Sequence, residues 1–177
     1  MSYKKRTSII TVPSLLFSLF TIAATYLLFS GFFYLFVSII WFIEDSDFLY
    51  YLFAFLFELS DIVYAVLIFM CCAASSFISF RIVVFILNLI NKISDHTRKI
   101  VYIMSGIIIV FLNFFNLTYI IFDSLASCTY YHISELFDAL LDSFGDYDGA
   151  FFQNFLLSMT GVAFIAKSHS FHVVNEK

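Results

Sequence analysis

Glu58 and Asp61 interrupt an otherwise apolar run, Phe53 to Phe69, "FAFLFELSDIVYAVLIF". Three apart, they share one face of a helix. What they do depends on depth. If a membrane span begins at Phe48, Glu58 lies about 15 Å into the hydrocarbon, where an ionised carboxylate costs several kcal/mol unless hydrated or paired. There the pair is a proton or cation site. If the membrane begins near Ile62, the uncharged residues up to Phe80 cross about 28 Å, and both carboxylates mark the outer boundary. The boundary reading fits that uncharged run, Arg81 snorkelling at its end, and the lack of any Lys or Arg inside a span to pair with a buried carboxylate.

Two further polar pairs lie in apolar surroundings: Asn113 with Asn116, again three apart, and Gln153 with Asn154. Interhelical hydrogen bonding explains them at roughly 0.6 kcal/mol each. A permeation path is the alternative, with Glu58, Asp61, Asn113 and Asn116 as its lining. Asn116-Leu117-Thr118 matches a glycosylation acceptor, but it falls within an apolar run and is expected to stay unmodified. Cys71 and Cys72 open the small-residue stretch "CCAASS", a surface for close helix approach. Cys128 stands alone on its side of the membrane, without a partner for an intrachain disulfide there. The four histidines show no metal-ligand spacing, and there is no Walker loop, nucleophile elbow, HExxH or CxxC. No catalytic residue, cofactor or metal is expected.

The elements that carry these residues follow from composition. A chain of 177 residues that is 62% hydrophobic, with 26 Phe and only 12% charged residues, lacks the polar groups to cover a water-soluble surface. Its solvent is a bilayer. About 20 residues span a hydrocarbon core of about 30 Å. The pattern predicts an all-α polytopic membrane protein, one domain over 1–177, with four transmembrane helices at about 14–43, 48–80, 100–122 and 149–166. With these spans all nine Lys and Arg fall on one side. Glu44, Asp45, Asp47, Asp123, Glu135, Asp138, Asp142, Asp146 and Asp148 fall on the other. Basic residues favour the cytoplasmic side, so both termini are expected there, in a plasma or secretory-pathway membrane. A fifth span, made by splitting 48–90 near Cys72, moves Lys92, Arg98 and Lys99 to the acidic side and is rejected. The basic start and long apolar run read as a retained signal anchor.

The first two apolar segments exceed what a bilayer needs, and with only Glu44 to Asp47 between them they read as an antiparallel helical hairpin. Pro13 suits a first helical turn, and Gly31 is a candidate bend. After Arg81, "IVVFILNLI" reads as a continuation of the second helix, with a lipid-sensing surface helix as the alternative. Between the third and fourth spans, Ile133, Leu136, Phe137, Leu140, Leu141 and Phe144 form one helical stripe, with Glu135, Asp138 and Asp142 away from it. An outer amphipathic helix over about 131–144 is expected, its apolar stripe a partner contact: the projecting end of the hairpin, the outer leaflet, or another protein.

Four spans, cytoplasmic ends, a short first outer loop and a longer second one containing Cys128 resemble the MARVEL-type tetraspanning proteins of membrane subdomains and vesicle traffic. The resemblance covers the whole chain in topology and carries no motif. The outer cysteine pair of many members is missing, as is the Trp-Gly-Leu-Trp type motif of claudin-like proteins. It implies a role in organising other membrane components. The expected partners are the lipid bilayer and other membrane proteins or further copies of the chain. No basic, aromatic-interleaved stretch suggests nucleic acid.

Overall fold

The computed structural model describes residues 12–46, 60–90, 93–118 and 147–171. These form four helices: α1 (Val12–Asp45), α2 (Ser60–Leu89), α3 (Asp95–Phe114) and α4 (Tyr147–Ser168). Pro13 sits in the first turn of α1, where its missing N–H costs nothing. The helix then continues through Gly31 to the acidic pair at its end, 34 residues or about 51 Å. α2 continues past the uncharged run that ends at Phe80. Arg81 is accommodated with its guanidinium 5.3 Å from the centre of the Phe77 ring, and the helix runs on to Leu89. "IVVFILNLI" is therefore part of α2 through Leu89, not a separate surface helix.

α3 has clear signals at both ends. Ser94 caps it, its hydroxyl accepting from the Thr97 amide at 3.2 Å, and Asp95 complements the positive end of the helix dipole. At the other end, Asn116 takes a left-handed conformation, φ 52°, and its amide donates to the Asn113 carbonyl at 3.1 Å. Asn is among the few residues that accept this backbone and so stops helices. The uncharged run 100–122 is thus not one helix: α3 starts earlier, at Asp95, and ends at Phe114. Its 20 residues still extend about 30 Å, a full hydrocarbon thickness.

Three helical segments are long and apolar enough to cross a membrane: Val12–Ile43, Ala65–Leu89 and Asp95–Phe114. The helices pack as a four-membered ring in which α1 and α4 each contact both α2 and α3. Side-chain pairs give the directions. Ser18 meets Ser105 and Tyr26 meets Asn113, so α1 and α3 run parallel. Phe69 meets Phe152 and Phe80 meets Phe164, so α2 and α4 run parallel. Tyr102 meets Phe164 and Asn116 meets Asn154, so α3 and α4 are antiparallel. The chain alternates direction from each helix to the next.

Inside and outside are inverted relative to a water-soluble bundle. Ser14, Ser18, Thr21, Thr25, Ser75, Ser79, Ser105 and Thr160 are buried, together with Phe29, Val83, Ile109, Leu157 and Phe164. Leu16, Phe42, Met70, Phe85 and Phe114 face outward, Phe114 with 77% of its surface exposed. An apolar exterior around a small, hydroxyl-rich interior suits lipid, where close packing and internal hydrogen bonds hold helices together.

Candidate functional site

The buried hydroxyls are positioned by helical spacing. Ser14, Ser18, Thr21 and Thr25 recur at intervals of four, three and four, one stripe of α1. Ser18 donates to the Ser14 carbonyl at 2.8 Å, Thr21 to Phe17 at 2.7 Å and Thr25 to Thr21 at 2.7 Å. On α2, Ser75 donates to the Cys71 carbonyl at 2.7 Å and Ser79 to Ser75 at 2.6 Å. Each hydroxyl is thereby satisfied by its own helix and presents only a small, slightly polar surface to its neighbour. This stripe was legible in the spacing of Ser and Thr along 14–25, a signal that a search for charged residues passes over.

Several close contacts cross between helices among the described residues. On the α2–α4 seam, Ser76 donates to the Leu156 carbonyl at 3.0 Å and is hydrogen-bonded to the Thr160 hydroxyl. The small stretch "CCAASS" does serve close approach here, with Cys72, Ser75 and Ser76 buried. On the α3–α4 seam, Gly106 and Gly161 bring backbone against backbone. Between α1 and α3, Asn113 is central. Its Nδ2 donates to the Tyr26 hydroxyl at 2.8 Å and to the Ile109 carbonyl at 2.7 Å. The Thr118 hydroxyl is 3.2 Å from the Tyr26 hydroxyl and donates to Asn113 Oδ1 at 3.4 Å. Tyr26 of α1 and, from either side of the α3 break, Asn113 and Thr118 thus close on one another, all buried.

The four residues considered for an ion path fare differently. Asn113 and Asn116 do not converge. Asn113 faces the interior, whereas Asn116 is exposed at the break and accepts from Asn154 Nδ2 at 3.0 Å. That contact joins the end of α3 to the first half of α4. Asp61 lies in the first turn of α2, with its side chain outside the described residues, and Glu58 is outside them altogether. The stripe Ile133, Leu136, Phe137, Leu140, Leu141 and Phe144 is likewise outside the described residues. The acceptor-like Asn116-Leu117-Thr118 is not buried in a continuous helix as expected: it straddles the break, with Asn116 exposed and Thr118 buried.

Among the described residues, no three His, Cys, Asp or Glu side chains come together as a metal-binding group. The arrangement that is built is a set of helix contacts. Hydroxyls and amides hold the bundle, and apolar side chains clothe it. No protein-family model matches the chain, and neither a curated protein nor a solved structure shows significant similarity to it.

Proposed function

We propose that this chain is a non-enzymatic, four-span integral membrane protein that acts through its outer surfaces, as a membrane organiser or scaffold or as an accessory subunit of a larger membrane complex. The observation that carries this reading is the use of the interior polar side chains: Ser18, Thr21, Thr25, Ser75, Ser79, Thr160 and Asn113 are all bonded to carbonyls of their own helices. Groups committed in this way are satisfied within their own helices and leave little polarity to bind a substrate or line a path. What remains for function is the surface.

The fourth span is α4. It runs antiparallel to α3 along the Gly106–Gly161 contact and is 22 residues long, about 33 Å. With it, Lys167 joins Arg98 and Lys99 at one end of the bundle, and the positive-inside tendency makes that end cytoplasmic. Both termini then lie in the cytoplasm, in a plasma or secretory-pathway membrane. The topology is that of the MARVEL-type proteins, and the role is the general one that this resemblance implies. The expected outer helix over 131–144 and the exposed end of α1, with Tyr34, Trp41 and Phe42, are the surfaces available to partners on the outer side.

Single-cysteine variants at Ser46 and Ser170, in a background lacking Cys71, Cys72 and Cys128, test the topology. An impermeant thiol reagent added to intact cells is expected to label position 46 and to reach position 170 only after permeabilisation. Labelling of 170 in intact cells overturns the four-span arrangement. A photoreactive residue at Leu136 or Trp41 tests the role. Discrete protein adducts in the native membrane are expected, whereas adducts to lipid alone at both positions remove the interaction reading.

A further inference from the structure

Arg98 and Tyr102 lie four residues apart on one face of α3, at the end where Lys99 and Lys167 also gather. The Arg98 guanidinium is only partly used. Nη2 donates to the Ile90 carbonyl at 3.0 Å, and Nη1 is 3.5 Å from the carboxylate of Asp95, whose side chain is largely exposed. Nε is shielded from solvent and has no acceptor. The Tyr102 hydroxyl is also shielded and without a partner, on a side chain with no exposed surface. Long side chains on a helix lean toward its N-terminus, which carries this hydroxyl toward the turn of Arg98. Elsewhere among the described residues most small hydroxyls find carbonyls, in their own helix or the next, Ser30 excepted. Here two larger donors, one of them cationic, do not.

Buried donors left unpaired are costly enough to be uncommon, and a neighbouring pair of them points to an acceptor that is sometimes present. A group that satisfies a guanidinium N–H and a phenol O–H together is an anionic oxygen cluster, and the guanidinium fork suits phosphate best. Three features favour phosphate at this place. The site is at the start of α3, the positive end of the helix dipole. Lys167 lies over the ring of Phe171, its Nζ 6.0 Å from the centre. Tyr102 stacks on Phe164 and Phe171 at 5.8 and 5.6 Å, so the donors are framed by aromatic rings at the level where a helix end meets headgroups.

We propose that this end of the bundle binds the phosphate of an anionic phospholipid, with Arg98 Nε and the Tyr102 hydroxyl donating to its oxygens and Lys167 adding charge. Phe171, beyond the end of α4 with its amide donating to the Ser168 carbonyl at 3.3 Å, stacks on the Tyr102 ring beside the site. The site rests on the bundle lying in a bilayer and not on any choice of protein partner.

The test uses the full chain purified in a neutral mild detergent and titrated with phosphatidylglycerol, phosphatidylcholine or inorganic phosphate, with the thermal midpoint and retained lipid as readouts. A saturable rise with phosphatidylglycerol alone is expected. Tyr102→Phe keeps the ring stacking, so it folds, and it is expected to weaken phosphatidylglycerol binding about tenfold, as loss of a hydrogen bond to a charged group should. Arg98→Gln is expected to weaken it further, and Lys99→Gln to leave it nearly unchanged. Unaltered lipid affinity in Tyr102→Phe overturns the proposal, because the hydroxyl is then only a packing defect. Equal losses in Arg98→Gln and Lys99→Gln also overturn it, leaving attraction to net charge. Saturation by inorganic phosphate as readily as by lipid overturns the assignment to a headgroup.

Discussion

Gly106 and Gly161 hold α3 and α4 in backbone contact: a Cβ on Gly106 would stand 2.5 Å from the Gly161 carbonyl oxygen, and one on Gly161 would stand 2.8 Å from that of Gly106. Neither obstacle is a flexible side-chain end. Adding a methyl at either position must push the helices apart, and in lipid that separation loses van der Waals contact with no hydrophobic gain to offset it. Gly106→Ala and Gly161→Ala are each expected to destabilise by about 1–3 kcal/mol, in the range of an overpacked core. Gly31→Ala is the control, since its Cβ would meet nothing within 4 Å. It is expected to be neutral or slightly stabilising. Thermal unfolding in one detergent, followed by tryptophan fluorescence or size-exclusion recovery, ranks the three.

The Tyr26–Asn113 hydrogen bond is the main polar tie between α1 and α3, and it can be isolated by a double-mutant cycle. Tyr26→Phe, Asn113→Ala and the double variant are expected to give a coupling of about 0.6 kcal/mol, with about 1.7 as the upper bound for such bonds in membranes. Asn113→Ala should cost more than Tyr26→Phe alone, because it also removes the acceptor for Thr118 and leaves a gap. A coupling near zero at unchanged fold means that Thr118 alone satisfies the Tyr26 hydroxyl.

The hydroxyl stripe of α1 separates packing from permeation. Thr25→Val preserves shape and removes only a bond to the Thr21 carbonyl of the same helix. If the stripe is a packing surface, stability changes by less than about 1 kcal/mol, since that bond contributes little net. Thr25→Leu, which adds volume to a fully buried position, is expected to cost about 1–3 kcal/mol. Proteoliposome flux that appears in the parent chain and disappears in Thr25→Val would instead make the stripe a path.

The long apolar helices were legible because length and the absence of charge suffice to predict them, as for Val12–Ile43 and Asp95–Phe114. Their ends were less so. Hydropathy does not see that Ser94 offers a cap or that Asn116 accepts a left-handed backbone, so an uncharged run over 100–122 read as one span. Arg81 did not mislead in this way: the apolar run beyond it reads as a continuation of the second helix, and α2 runs on to Leu89 with Arg81 over the Phe77 ring. The site was legible in part. Asn113 stood out as an amide in an apolar run, whereas its partner Tyr26 is one of 11 tyrosines and only the parallel packing of α1 on α3 selects it. The unpaired donors of Arg98 and Tyr102 are a property of packing and leave no trace in spacing alone.

Asn116 provides the last prediction, because its backbone and its side chain do different things. Its φ of 52° ends α3, and its Oδ1 accepts from Asn154 on α4 at 3.0 Å. Asn116→Gly keeps the conformation and loses the bond, so it reports the side chain alone, expected at about 0.5–1 kcal/mol because the pair is exposed. Asn116→Ala loses the bond and also the local side-chain hydrogen bonding that lets Asn accept the left-handed region, which adds roughly 1 kcal/mol. Asn154→Ala removes the same bond from the other side and should match Asn116→Gly, not Asn116→Ala. If Asn116→Gly and Asn116→Ala are instead equally stable, the left-handed turn is not what ends α3, and the helix continues through residue 116 as its hydropathy alone suggests.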